Sequence, residues 1–107
     1  NQKKIINTKS LDLHGYTLED ANKKIENFIL ENYQNGITKL LVVTGKGLHS
    51  DVEKNPYVSK NLSILKYSIP EFIRSNIELN KYINSFAEAS IEDGGSGAFY
   101  IYLKKNK

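Results

Sequence analysis

The chain contains no cysteine, no methionine and no tryptophan, and only two histidines and two prolines. The lack of cysteine excludes disulfides, thiolate metal sites and thiol nucleophiles, and it is compatible with a reducing, cytoplasmic setting. Two histidines without cysteine also argue against a closed zinc site. No apolar run approaches the ~20 residues of a membrane-spanning helix, and no signal peptide is visible, so we expect no membrane partner.

The length and the charge indicate one small, slightly basic domain. A chain of 107 residues, 39% of them hydrophobic, can form one core but not two. The net charge of +3 fits a partner that carries phosphates, and it fits a mildly basic protein without such a partner equally well. Because residue 1 is asparagine, we expect the chain to be a piece of a longer protein.

The segment Leu11-Asp12-Leu13-His14-Gly15 predicts a strand that ends in a sharp turn. The leucines alternate with the carboxylate and the imidazole, so the leucines should face one side and Asp12 and His14 the other. Gly15 allows the turn. Open α/β sheets bind ligands at the carboxyl ends of their strands, which makes this edge the first candidate for a functional site.

A helix is predicted directly after this turn. Thr17 and Asp20 have the spacing of a capping box, and apolar residues then recur at intervals of three and four. Asn35-Gly36 is the stop signal. The predicted buried face contains Leu18, Ala21, Ile25, Phe28 and Ile29.

An apolar run within residues 38–43 predicts a second strand, parallel to the first and covered on both faces. A right-handed strand–helix–strand unit brings the end of this strand to the same edge of the sheet as His14. The next segment, Thr44-Gly45-Lys46-Gly47-Leu48-His49, is not a Walker loop, but its glycines let backbone N–H groups approach an anion and its lysine adds a positive charge. A structural turn is the alternative explanation of this loop.

The middle of the chain is predicted to contain a long loop and a second helix. Residues 49–61 are polar and show no periodicity, which is typical of a loop. Ser68-Ile69-Pro70-Glu71 has the form of a capping box with proline in the first turn. We therefore expect a short turn and then a helix from Ile69 to about Ser75, with a single kinked helix as the alternative.

Two strands are predicted in the last part of the chain, over Tyr82–Ala89 and Ala98–Leu103, with Gly94-Gly95-Ser96-Gly97 as a glycine hairpin loop between them. The order β-α-β-α-β-β predicts an α/β (α+β) fold in two layers. Right-handed crossovers put both helices on one face of the sheet and leave the other face open.

Asp12 and His14 allow two chemical interpretations. The carboxylate could orient the imidazole and raise its basicity, so that His14 acts as a general base or acid. Alternatively, Asp12 could bind a divalent cation beside a phosphate. In a purely structural interpretation, Asp12 caps the following turn and His14 makes a local hydrogen bond.

The remaining candidates also have structural explanations. Gly95 and Gly97 could approach the same ligand through their backbone, although a hairpin turn accounts for them without a ligand. Tyr100, Tyr102 and Lys104 on one strand face could stack bases and hold phosphate, or the tyrosines could pack across strands. No Gly-x-Ser-x-Gly elbow occurs, so serine hydrolase chemistry has no support.

Three separated motifs resemble the small MutS-related (Smr) domain family. They are Leu11-Asp12-Leu13-His14-Gly15, then Thr44-Gly45-Lys46-Gly47-Leu48-His49-Ser50, and finally Gly94-Gly95-Ser96-Gly97-Ala98 before the last strand. The resemblance covers residues 9–104, which leaves residues 1–8 as an N-terminal arm and 105–107 as a C-terminal tail. It implies a two-layer sandwich with a four-stranded mixed sheet, similar to the C-terminal domain of translation initiation factor 3.

The resemblance also implies nucleic-acid binding and, in many members, endonuclease activity on DNA or RNA. By position, it assigns the functional Asp and His to Asp12 and His14. We expect Lys46 to stabilise the developing charge on phosphorus, and a divalent cation such as Mg²⁺ to be a candidate cofactor with Asp12 as its best ligand. The expected phosphate-binding residues are Gly15, Thr44, Gly45, Gly47, His49, Gly95 and Gly97.

A binding module without catalysis is the alternative function, and its partner would be nucleic acid or a ribosome or repair complex. Not every Smr domain cuts, so the family resemblance leaves both functions open.

Overall fold

The first structural element is strand β1, Thr8–Asp12, followed by helix α1, Leu18–Gln34, and strand β2, Lys39–Val43. The structure is a computed structural model and describes residues 8–45, 56–93 and 95–106, with side chains except those of residues 56–64 and 96. The predicted cap of α1 is confirmed, because the Thr17 hydroxyl accepts a hydrogen bond from the Asp20 N–H at 3.1 Å. Asn35 is the C-cap.

Helix α2 spans Pro56–Ser75 and is followed by a short helix α3, Ile77–Asn80, strand β3, Ile83–Glu88, and strand β4, Ala98–Leu103. The strand predictions for this part of the chain are therefore confirmed to within one residue at each end. The connection between β3 and β4 also contains two 3₁₀ turns, at Ile91–Asp93 and Gly95–Gly97.

The four strands form one mixed sheet in the order β1-β2-β4-β3. β1 and β2 are parallel, as expected for strands joined by a crossover helix, whereas β4 is antiparallel to both β2 and β3. In these pairings Asp12 lies opposite Val43, and Leu41 lies opposite Tyr100. The predicted two-layer α+β fold with a four-stranded mixed sheet is confirmed.

One face of the sheet packs against the helices and forms the core. The buried cluster combines one set of alternating strand residues with residues of α1, α2 and α3. Its members are Leu13, Ala21, Ile25, Ile29, Leu40, Val42, Leu65, Ile69, Ile73, Leu79, Ile83, Ile101 and Leu103.

The other face of the sheet, which we call the open face, carries the strand residues of opposite parity. From the register, its members are Thr8, Ser10, Asp12, Lys39, Leu41, Val43, Ser85, Ala87, Ala98, Tyr100 and Tyr102. Asp12 lies on this face because its neighbours Leu11 and Leu13 point into the core.

The prediction for residues 49–75 was partly wrong. The structure begins α2 at Pro56, so residues 56–61 are helical rather than part of a loop, and residues 49–55 lie outside the described part of the chain. Pro70 lies inside the helix, not at its start, which agrees with the alternative of a single helix. Burial explains this: Leu65, Ile69 and Ile73 are at most 1% exposed, and about 1.5–3 kcal/mol per buried side chain offsets the ~3 kcal/mol cost of an internal proline.

The connection between β3 and β4 is longer than the tight glycine hairpin loop that was predicted, and it contains two 3₁₀ turns. The connection runs from Ala89 to Gly97, and Gly94 lies outside the described residues. Its first part is held by the hydrogen bond from Gly95 N–H to the Ser90 carbonyl at 2.8 Å. Within residues 8–45, 56–93 and 95–106, no helix combines the length and the apolar character needed to cross a membrane.

Candidate active site

Asp12 and His14 form a contact pair at the carboxyl end of β1. His14 Nδ1 lies 2.9 Å from Asp12 Oδ1, and the same oxygen accepts the backbone N–H of His14 at 3.0 Å. The side chain of Asp12 is 39% exposed and that of His14 is 50% exposed. The pair is therefore both ordered by its own hydrogen bonds and accessible to a ligand from the open face.

The contact determines which ring nitrogen of His14 is available for proton transfer. An ionised carboxylate can only accept hydrogen bonds, so Nδ1 carries a proton and Nδ1–H donates the hydrogen bond to Asp12. In the neutral ring, Nε2 is then the nitrogen with the free electron pair. The geometry thus supports a general base at Nε2 of His14, oriented by Asp12.

The backbone between the two residues is anchored in the core. Leu13 is fully buried, and its N–H donates to the Val43 carbonyl at 2.7 Å, which ties the end of β1 to the end of β2. The chain then reverses at Gly15, whose φ of +87° is a conformation that favours glycine. Strand β1 itself ends at Asp12, so His14 lies in the turn rather than in the strand.

The start of the second glycine loop packs against the segment that precedes β4. The N–H groups of Thr44 and Gly45 both donate to the Gly97 carbonyl, at 2.9 and 3.0 Å. The Thr44 hydroxyl donates to the same oxygen at 3.3 Å, and Thr44 is 1% exposed. Gly97 has no room for a side chain, because a Cβ on it would lie 2.5 Å from the Gly45 carbonyl oxygen.

The structure therefore brings several of the predicted site residues to one edge of the sheet. Asp12 ends β1, and His14 and Gly15 form the turn that follows it, while Thr44, Gly45 and Gly97 form the adjoining pair of loops. The N–H of Gly45 is already bonded to Gly97, so this group could bind a phosphate only by giving up that bond. Lys46, Gly47 and His49 lie outside the described residues, and their predicted roles stay predictions.

Gly95 belongs to the same connection as Gly97 but does not share its close packing. Its φ is +56°, and a Cβ at this position would meet nothing within 4 Å. Its N–H bonds the Ser90 carbonyl within its own loop. The observed role of Gly95 is thus to shape the connection before β4.

Sequence analysis did not identify the polar groups that hold Tyr100. The Tyr100 hydroxyl donates to the Asp93 carboxylate at 2.5 Å and accepts the Ser90 N–H at 3.4 Å. It also missed Lys39, whose Nζ lies 4.4 Å from the centre of the Tyr100 ring. The register of β2 and β4 brings Lys39 and Tyr100 together, and strand alternation alone does not give that register.

The described residues contain no group of three or more His, Asp and Glu side chains that could hold a metal ion. Asp12 supplies the carboxylate at the end of β1, and one of its oxygens already accepts two hydrogen bonds from His14. Magnesium typically binds one or two carboxylates together with water and substrate phosphates. Asp12 therefore fits a cation that a substrate phosphate also binds, rather than a cation held by the protein alone.

Comparison with known proteins agrees with this fold and with the arrangement of the motifs. The family model of the Smr domain matches residues 11–104. The chain is 27% identical over 103 residues to the endonuclease MutS2 of Caldanaerobacter subterraneus subsp. tengcongensis, covering 96% of this chain and 11% of that protein. It is 28% identical over 94 residues to the endonuclease MutS2 of Finegoldia magna, covering 88% and 10%. The chain thus spans about a tenth of the length of these relatives.

Two solved structures have the same fold. The Smr domain of Thermus thermophilus MutS2 has a TM-score of 0.61 at 24% identity, over 90% of this chain and 98% of that one. YdaL, a stand-alone small MutS-related protein from Escherichia coli, has a TM-score of 0.63 at 24% identity, over 90% and 64%. Since the family model matches most of the sequence, the chain belongs to the Smr domain family.

Proposed function

We propose that this domain binds nucleic acid and cleaves its phosphodiester bonds, nicking DNA or cutting RNA, with His14 as the general base. The observation that carries the proposal is the contact between Asp12 Oδ1 and His14 Nδ1 at 2.9 Å on an accessible edge of the sheet. The similarity to MutS2 proteins that are named endonucleases supports the same class of reaction.

The proposed step begins with a hydroxyl group, from water or from the substrate, beside Nε2 of His14. Nε2 takes the proton of this hydroxyl group while the oxygen of the hydroxyl group forms a bond to phosphorus. The phosphorus–oxygen bond to the leaving nucleoside breaks, and the leaving oxygen takes a proton from solvent. Asp12 accepts a hydrogen bond from Nδ1–H throughout, and its negative charge stabilises the positive charge that develops on the imidazole.

Lys46 is the proposed stabiliser of the negative charge on the phosphoryl oxygens. It follows the Thr44-Gly45 segment, which the Gly97 carbonyl fixes beside the end of β2. An ammonium group there would interact most strongly with the transition state, in which the charge on the oxygens is greatest. If a divalent cation takes part, Asp12 is the residue that would hold it, and the cation would add Lewis-acid stabilisation of the phosphate.

The proposed partners are DNA or RNA, and a ribosome or a repair complex would be the setting in which the domain meets them. Family membership supports a nucleic-acid partner. A cytoplasmic location, which is compatible with the lack of cysteine, stays a prediction.

A cleavage assay tests the proposal. Purified domain is incubated with supercoiled plasmid and with labelled single-stranded RNA, each with and without Mg²⁺. The wild type should nick or cut at least one substrate, and His14→Ala should reduce the rate by a factor of about 10²–10⁴. Lys23→Ala, on the exposed side of α1, is the matched surface control and should cut like the wild type.

The alternative function gives a different result in the same assay. A binding module would retain nucleic acid with a steep dependence on salt and would cut neither substrate under any condition. Cutting that persists undiminished in His14→Ala would show that another group, or a contaminant, performs the reaction.

A further inference from the structure

We propose that the open face is a stacking platform for unpaired bases, so that the domain takes single-stranded nucleic acid as its substrate. This inference rests on the proposed function, because the platform continues from the Asp12–His14 pair. The platform itself consists of Tyr100 and Tyr102 on β4 and of Lys39 and Leu41 on β2.

Two aromatic rings lie side by side on this face. The ring centres of Tyr100 and Tyr102 are 6.1 Å apart, with an angle of 53° between the ring planes. Both side chains are partly exposed. Neighbouring aromatic side chains on a strand are suited to stack successive bases, because every base offers a flat π-surface whatever its sequence.

The Tyr100 ring is held in place before any ligand arrives. Its hydroxyl is bonded to Asp93 and Ser90 in the connection that precedes β4. A ring with a fixed hydroxyl loses little conformational freedom when a base stacks on it, so more of the stacking energy contributes to affinity.

Lys39 supplies the positive charge of the platform. Its Nζ lies 4.4 Å from the centre of the Tyr100 ring, a cation–π contact. Such a contact at an accessible site is weaker than base stacking, so a base can displace the ammonium group from the ring. The displaced ammonium group then lies beside the backbone of the same nucleic-acid strand and can bind one of its phosphates.

The platform is continuous with the proposed catalytic pair. Asp12 on β1 is opposite Val43 on β2. Tyr100 is on β4, the next strand after β2, and lies two residues further along the sheet than Asp12. Strand spacing and residue rise place the Cα atoms of Asp12 and Tyr100 about 12 Å apart, and those of Asp12 and Tyr102 about 16 Å apart. This separation corresponds to a few nucleotides of a single strand that crosses the open face.

The geometry favours single strands over duplexes. In a duplex the bases stack on one another and present only their edges in the grooves, so their flat surfaces cannot reach Tyr100 or Tyr102. An unpaired strand can splay its bases onto aromatic side chains. The proposal therefore predicts tighter binding of a single strand than of a duplex with the same sequence.

Binding of a labelled 15-nucleotide single strand and of its duplex, followed by fluorescence anisotropy, tests the platform. Tyr102→Leu keeps an apolar side chain but removes the ring, and we expect it to raise the Kd for the single strand by about five- to a hundredfold. Tyr102→Phe should bind like the wild type. Tyr67→Leu is the matched control, since Tyr67 is 70% exposed on α2 in the helical layer, and it should have no effect.

The outcomes separate this inference from the proposed function. Tyrosine-dependent binding of single strands in a domain that cuts nothing would support the platform and contradict the nuclease. Cleavage that requires His14, together with equal affinity of the wild type and Tyr102→Leu, would overturn the platform and leave the nuclease intact. Preference for the duplex, or no binding of the single strand by the wild type, would also overturn the platform. Lys39→Ala should in addition lower the slope of log Kd against log salt concentration by about 0.7.

Discussion

Substitution of Gly97 by alanine tests the close packing of the loops beside the candidate site. A Cβ on Gly97 would lie 2.5 Å from the Gly45 carbonyl oxygen and 3.1 Å from its carbonyl carbon. Since real Cβ atoms essentially never come within 3.0 Å of such an atom, the two backbones must separate by at least about 0.5 Å. Neither neighbour can give way easily, because both are main chain rather than flexible side chain.

The cost follows from the contacts that this separation would disturb. Overpacking in a closely packed region costs about 1–3 kcal/mol, and weakening the two N–H bonds from Thr44 and Gly45 to the Gly97 carbonyl adds about 0.5–1.5 kcal/mol for each bond. We expect Gly97→Ala to lower the free energy of unfolding by about 2–6 kcal/mol, which corresponds to a fall in Tm on the order of 10–25 °C.

Urea unfolding and amide hydrogen exchange measure the effect. The N–H groups of Thr44 and Gly45 should exchange faster in Gly97→Ala than the loss of global stability explains. Gly95→Ala is the matched control: it adds the same atom in the same connection, where nothing lies within 4 Å, so its cost should be only that of the positive φ. If Gly97→Ala unfolds within 0.5 kcal/mol of the wild type, the described packing is wrong.

Two further predictions concern the ends of the helices. Thr17→Ala should lower the free energy of unfolding by about 1 kcal/mol, because the Asp20 N–H loses its acceptor. Thr17→Ser keeps the hydroxyl and should be as stable as the wild type. Equal urea midpoints for the wild type, Thr17→Ala and Thr17→Ser would contradict the cap. Asn80→Asp should lower the free energy of unfolding by about 1–3 kcal/mol. The Asn80 amide donates to the carbonyls of Ile73, Arg74 and Asn76, and an aspartate would present oxygens to these carbonyls instead. A thermal melt that matches the wild type would show that these bonds contribute nothing.

The order of the four strands and the two long helices could be predicted from local signals alone, whereas the short helix α3 was not predicted. The capping box at Thr17, the stop at Asn35-Gly36 and the apolar run before Thr44 each reflect a preference of a few neighbouring residues. The start of α2 could not be predicted in this way. The helix includes polar residues before Leu65 and an internal Pro70, and burial of its apolar side against α1 and the sheet outweighs both.

The candidate site shows the same division. The alternation in the segment around Asp12 correctly placed the carboxylate on the side of β1 away from the core, whereas His14 lies in the turn after the strand. It could not show that the two side chains contact each other, because that depends on the turn at Gly15. Nor could it show that the Gly45 N–H bonds to Gly97, since these residues are far apart in the sequence and meet only through the register of β2 and β4.

A double-mutant cycle on single-turnover cleavage tests most directly whether Asp12 and His14 act as one catalytic unit. The rate constants of wild type, Asp12→Asn, His14→Ala and the double variant are measured with the domain in saturating excess over labelled substrate. If Asp12 works by orienting and charging the imidazole, Asp12→Asn should slow cleavage by about ten- to a hundredfold, whereas in the His14→Ala background the same change should have almost no effect. Multiplicative losses in the double variant, or an Asp12→Asn protein that cuts at the wild-type rate, would contradict this account.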